Sequence, residues 1–163
     1  MNMEASISIK IVKSELESCL EYAKKCGWLI SNIDESNLSF NVKMTSPLDG
    51  EVYILNVVFS DYPELPLILD FIDPVTNELG NRNAFPDSKD SFFHKRNPPF
   101  ICSPCSRKAY GSYNEVKGPH DDWTMIGWRT NKQTGGLIDI PNILRAIYSR
   151  ISDEKKYNKQ RMR

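Results

Sequence analysis

The sequence predicts one α+β domain, and three observations carry that expectation: an amphipathic helical stretch early in the chain, a set of closely spaced strand patterns after it, and a second amphipathic helix near the other end. Strands joined by short connections pair antiparallel, because a parallel crossover needs about a dozen residues or more. Helices segregated from such a sheet make an α+β fold. At 163 residues the chain is long enough to bury a core without disulfide or metal staples.

The first helix is expected over residues 11–26, where Val12, Leu16, Cys19, Leu20 and Ala23 recur at three- and four-residue spacing. Gly27 stops it as a C-cap glycine. Cys19 and Cys26 sit on or beside this stripe, where a buried cysteine acts as a small hydrophobe. The period then changes. Leu38, Phe40, Val42 and Met44 alternate with polar residues as a half-buried strand does, and Pro47, Asp49 and Gly50 make a turn. Residues 52–59 and 67–72 supply two further strands. The intervening Asp61-Tyr62-Pro63-Glu64-Leu65-Pro66 holds two prolines and is excluded from a central strand. Residues 73–136 are punctuated by proline and glycine and read as irregular, an uncommon length inside a compact domain and often a functional one. The last helix covers residues 140–151, with Ile140, Ile143, Leu144, Ile147 and Ile151 on one face and Pro141 in its first turn. The domain is therefore expected over residues 1–152, with residues 153–163 a basic, solvated and frayed tail.

Composition narrows the function classes. Twenty-one basic residues balance 21 acidic ones, which argues against a dedicated nucleic-acid binder. No apolar run approaches the roughly 18–20 residues that span a bilayer, and no secretory leader is visible, so no membrane role and a cytoplasmic address are expected. In that reducing compartment the 4 cysteines are expected free, metal-bound or catalytic.

The chemistry-bearing stretch runs from Phe93 to Arg107 and holds His94, Asn97, Cys102 and Cys105, with His120 further on. Arg107, Tyr110, Glu115, Asp121, Asp122, Trp123 and Arg129 complete a polar, aromatic cluster. A cysteine nucleophile works as its thiolate, only about 3% of which forms at pH 7 from an ordinary pKa near 8.5. Neighbouring cations raise that fraction, and Lys95, Arg96, Arg107 and Lys108 are the candidates by sequence. Acyl transfer also needs a donor for the developing oxyanion, a part open to Asn97 or His120.

This organisation resembles the ubiquitin-conjugating enzymes. The run Tyr62-Pro63-Glu64-Leu65-Pro66 before an apolar strand is similar to that family's Tyr-Pro-x-x-Pro turn, Phe100-Ile101-Cys102 to its active-site Ile-Cys, and Trp123 to a tryptophan that follows the cysteine. His94-Lys95-Arg96-Asn97 stands where the family usually has His-Pro-Asn. Divergent bacterial members look closer: their Cys, Arg-x-x-Tyr-like and His-x-x-Trp elements are similar to Cys102, Arg107 to Tyr110, and His120 to Trp123. The resemblance implies a UBC/RWD-like fold, with an N-terminal helix, an antiparallel four-stranded meander, a cysteine-bearing loop and a C-terminal helix. It also implies a function. Cys102 would take a ubiquitin-like modifier as a thioester from an activating enzyme and give it to an amine of a protein acceptor. His120 or Asp122 would help deprotonate that amine, Asn97 would aid the oxyanion, and no cofactor would be needed.

Other readings remain open at this level. His94, Cys102, Cys105 and His120 can be read as a zinc site, although one CxxC with scattered histidines is a weak pattern. The same fold without chemistry serves as a conjugating-enzyme-like interaction module. Cys102-Ser103-Pro104-Cys105 is also similar to a thioredoxin-type Cys-x-Pro-Cys, which would make a thiol-disulfide oxidoreductase, but the preceding βαβ context is absent.

Overall fold

The computed structural model describes residues 3–163. Helix α1 (Met3–Cys26) presents Ile9, Val12, Leu16, Cys19 and Ala23 to the interior. It begins a full two turns before the expected residue 11. Ile7-Ser8-Ile9-Lys10-Ile11 alternates with period two, which hides a helix, and tertiary contacts settle it: Ser8 is buried and its hydroxyl donates to the Tyr62 carbonyl at 2.5 Å. Gly27 follows with φ +72, the left-handed conformation a C-cap glycine takes.

Strands β1 (Leu29–Ile30), β2 (Ser39–Thr45), β3 (Val52–Val58) and β4 (Ile68–Ile72) form one antiparallel sheet in sequence order. The four-strand antiparallel meander, flanked by an N-terminal and a C-terminal helix, is therefore present. Register places Phe40 opposite Val57 and Val42 opposite Leu55, so the buried positions of neighbouring strands share a face.

The stretch expected to be irregular contains short ordered pieces: β5 (Pro86–Ser88), β6 (Phe93–His94) and β7 (Phe100–Ile101), with 3-10 turns between them. Strands β6 and β7 make a hairpin whose base carries Cys102, its amide donating to the Phe92 carbonyl at 2.8 Å. Helix α2 (Ile140–Ser152) starts on Asp139, whose side chain accepts from the Asn142 amide, and buries Ile140, Ile143, Leu144, Ile147 and Ile151 as the spacing requires.

The frayed tail is corrected. Residues Tyr157–Arg161 form strand β8, paired antiparallel with β5. Two buried side chains anchor it, Tyr157 and Met162. The Tyr157 hydroxyl lies 2.6 Å from that of Tyr53 and donates to Asp49 at 2.8 Å, while the Arg161 guanidinium packs over the Tyr53 ring. Asn158, Lys159 and Gln160 are exposed, so the segment's polar, charged pattern imitates a solvated terminus. Tyr157→Ala is expected to lower stability by about 3–5 kcal/mol, the range for emptying a large aromatic site, as measured by urea unfolding.

The proline turn and the cysteine loop are tied together. The Arg107 side chain is buried against the turn and donates from Nε to the Pro66 carbonyl at 2.6 Å and from its guanidinium to the Ser60 carbonyl. Leu67 makes two backbone bonds across the same gap: it donates to the Cys105 carbonyl at 3.1 Å and accepts from the Arg107 amide at 2.9 Å. Arg107 is thus spent on architecture. Arg107→Ala orphans the buried Pro66 carbonyl and the part-buried Ser60 carbonyl and is expected to cost on the order of 3 kcal/mol, read from the same unfolding curves.

Candidate functional site

Cys102 is half-buried, and its Sγ lies 3.3 Å from Nε2 of His120. With Nε2 as acceptor, the thiol donates and the ring proton sits on Nδ1. The imidazole lies flat on Trp123, ring centroids 3.5 Å apart and planes 2° from parallel. Tyr110 meets Trp123 edge-on at 5.6 Å and donates its hydroxyl to the Pro104 carbonyl at 2.7 Å. The chain of contacts thereby closes on itself: Cys102 to His120, Trp123, Tyr110 and back to the cysteine loop.

Two glycines let the backbone hold His120 there. The 109–111 and 118–121 segments run side by side, with His120 donating to Ala109 at 3.2 Å and Gly111 to His120 at 3.1 Å. A Cβ on Gly118 would collide with the backbone of Ala109 and Lys108, and one on Gly111 with the Asp121 carboxylate. At Gly118, where the clash is with backbone, only glycine permits that approach.

Burial governs the electrostatics. It pushes the Cys102 thiol above the ordinary cysteine range. It also lowers the His120 pKa, an effect that the nearby Asp122 charge opposes without reversing and that His94 reinforces. Both groups are therefore driven toward their neutral forms, a thiol against a neutral imidazole. The cations expected to activate Cys102 are engaged elsewhere: Lys95 pairs with Asp87 at 2.6 Å, Arg96 donates to the Lys117 carbonyl at 2.8 Å, Lys108 pairs with buried Asp70, and Arg107 holds the proline turn.

The other predicted residues divide clearly. Asp122 is exposed beside His120 and acts on it by charge. Asn97 sits exposed in the β6–β7 loop, ahead of a cis bond to Pro98. At about 3.3 Å of rise per residue, the hairpin separates it from Cys102, at the opposite end, by roughly 10 Å or more. His94 stacks on Phe100 at 4.8 Å and accepts the Arg96 amide on Nδ1. Cys105 is sealed in the interior, and burial pushes its thiol up to about 11. The four zinc donors are thus not gathered, and among the described residues no group of three or more His, Cys, Asp or Glu is arranged to hold a metal ion. Both CxxC thiols are free, and the motif leads into the short 3-10 turn Arg107–Ala109 rather than a long helix. Glu115 accepts from Tyr113, and Arg129 donates to Tyr62 and Ile138, so neither joins the thiol.

A cavity of about 410 Å³ opens beside Cys102, between the cysteine loop, the 133–135 turn and α2. Gln133 is among the residues that line it. The backbone amides of Cys102 and Ser103 are already committed, to Phe92 and Ile101.

No family model matches this chain, and no curated protein matches it. Among the described residues no helix is long and apolar enough to cross a membrane.

Sequence reasoning missed Gln133 and the cavity lining from α2, because that face of the helix is polar and its register against the cysteine loop is a tertiary fact. It noted Gly111 and Gly118 only as loop punctuation. A closer signal was present in the spacing, since two glycines flanking a Tyr-x-x-x-x segment before a histidine allow two backbones to touch.

Proposed function

We propose that this protein is a cytoplasmic transferase that carries a ubiquitin-like modifier as a thioester on Cys102 and passes it to an amine of a protein acceptor. The observation that carries the reading is the reachable thiol of Cys102, 3.3 Å from His120 Nε2 at the mouth of a cavity. The α+β frame of helix, four-strand antiparallel sheet, proline turn, cysteine loop and helix supports a UBC/RWD-like assignment.

In loading, His120 accepts the Cys102 proton as the sulfur attacks the thioester carbonyl that an activating enzyme presents. A new C–S bond forms, the donor's C–S bond breaks, and the departing thiolate takes the proton from His120. A lysine reference pKa near 10.4 leaves the acceptor amine mostly protonated at pH 7. In transfer, therefore, the neutral fraction of the amine attacks the thioester carbonyl: the C–N bond forms, the C–S bond to Cys102 breaks, and a neutral His120 close to the sulfur takes the proton lost by the nitrogen and returns it to the departing Cys102 thiolate, while Asp122 favours the transient imidazolium. A neutral base suits this task better than an ion pair, which would hold His120 already protonated.

The test is loading with ATP, an activating enzyme of the ubiquitin type and its modifier, resolved by non-reducing electrophoresis. A single adduct that a thiol reductant removes is the expected result. An adduct that withstands the reductant, or that maps to a residue other than Cys102, overturns the reading.

A further inference from the structure

The cavity beside Cys102 carries charge of one sign. Arg150 and Lys156 line it, and no carboxylate does. Their acidic neighbours stand off its walls, Asp90 at 3.3 Å from Arg150 Nε and Asp153 at 4.0 Å from Lys156 Nζ. Neither cation is fully satisfied by these pairs. Arg150 donates from Nη1 to the Ala146 carbonyl at 2.9 Å while its buried Nε, though ion-paired, makes no hydrogen bond, and Lys156 Nζ donates to the Ser149 hydroxyl at 3.5 Å. An ammonium has three donors and a guanidinium five, so both retain capacity toward an acceptor in the cavity. Packing holds the arginine in place, its Cζ 3.7 Å from the Phe92 ring centroid. The volume falls within the roughly 300–1,000 Å³ of ligand pockets, and Gly135 and Ala146 leave part of its wall low.

We propose that this cavity receives the C-terminal tail of the acyl donor that loads Cys102, and that Arg150 and Lys156 select tails bearing a carboxylate side chain within the last few residues before the reacting carbonyl. The inference rests on the thioester reading of Cys102 and adds to it the chemical class of the donor. A tail with arginine at those positions would bring like charges together in a partly desolvated groove, a juxtaposition that discriminates against a partner more than it affects a matched one.

Benzyl thioesters of short peptides, acetylated at one end and ending in Gly-Gly, test this directly, with glutamate, alanine or arginine ahead of the glycines. The leaving group is uncharged, so only the tail charge varies. Cys102 forms a C–S bond to the terminal glycine carbonyl, the bond to the benzylthio sulfur breaks, and benzyl mercaptan departs with the proton released from Cys102. Intact-mass spectrometry then gives a loading rate for each peptide. The glutamate peptide is expected to load about tenfold faster than the arginine peptide at low salt, and the gap should collapse in 1 M NaCl, where screening shortens to about 3 Å. Lys156→Gln should narrow the gap, and Lys156→Glu, which sets one carboxylate against Arg150, should close it. Lys156 is partly exposed and its substitution empties no core site, so circular dichroism should be unchanged. Equal rates for the three peptides, a faster arginine peptide, or a gap untouched by Lys156→Glu overturns the charge preference. If no peptide loads, or loading persists in Cys102→Ala, the thioester reading itself fails.

Discussion

Cys102→Ala is expected to abolish the reductant-sensitive adduct completely, and Cys102→Ser to replace it with an adduct that survives thiols but yields to hydroxylamine or mild base. The difference is the bond: a serine oxygen gives an oxyester, which thiols exchange far more slowly than a thioester. The completeness of the loss follows from the state of the neighbouring thiol. Cys105 is three residues away but sealed in the core, with burial pushing its pKa up to about 11. At pH 7 a thiol of that pKa is about 0.01% ionised, and it also lacks access. Cys19 is buried in the α1 stripe, where burial raises its pKa as well, and Cys26 lies at the far end of α1 with Tyr22 as its titratable neighbour. The two buried thiols cannot take over the load. Residual adduct above 1% in Cys102→Ala, mapped by peptide mass spectrometry to Cys105, would show that the loop opens and that the half-buried sulfur is not the acceptor.

How much of this arrangement could be read from residues alone depended on the range of the interactions that fix it. Helix α2 was fully legible, because five aliphatic residues at helical spacing and an Asp-Ile-Pro start are local signals. Strand β2 was legible from alternation and β3 and β4 from apolar runs set off by turn residues, whereas β1 is a two-residue strand defined by its pairing with Lys43 and Val42 rather than by its own pattern. Strand β8 was hidden for a related reason: Tyr157-Asn158-Lys159-Gln160-Arg161 looks like a solvated tail until Tyr53 and Asp49 are brought to its tyrosine. At the site, Cys102 and His120 were both singled out, and Asn97 was set beside them as an oxyanion donor because His94-Lys95-Arg96-Asn97 stands where the resembled family has His-Pro-Asn. The hairpin breaks that grouping. Four residues of strand and loop carry Asn97 away, while 17 residues of intervening chain fold back to put His120 in contact. Charge was the least legible quantity. Four cations close to Cys102 in sequence all bond elsewhere, and the thiol responds to burial instead.

The contact between Cys102 and His120 sets the second large effect. His120→Ala is expected to slow loading at pH 7 by about 10²–10⁴, the usual contribution of a positioned general base. Its pH dependence separates a base from a structural prop. Burial lowers the His120 pKa below the ordinary histidine value near 6.5 and raises that of Cys102 above the ordinary cysteine value near 8.5. Between those two values the intact pair is neutral, and His120 is free to take the proton as sulfur attacks. Wild-type loading should therefore rise through the lowered histidine pKa and stay level across neutral pH. The alanine variant has only the spontaneously ionised thiol to use, so its rate should climb tenfold per pH unit toward the raised thiol pKa. The two curves should then converge above it, where the sulfur is already a thiolate and a base adds nothing. A thiolate–imidazolium ion pair would behave in the opposite sense, with the thiol alkylated rapidly even near pH 5 and a wild-type profile set by a depressed cysteine pKa. Rates of iodoacetamide alkylation and of peptide-thioester loading, followed from pH 5 to 10, distinguish the two. Curves for His120→Ala and wild type that run parallel throughout would remove His120 from the proton transfer and leave it as packing against Trp123. Trp123→Phe provides the internal check. It keeps an aromatic surface beneath the imidazole, so it should retain the level neutral plateau at a reduced rate, because it loosens the position of the base without removing it.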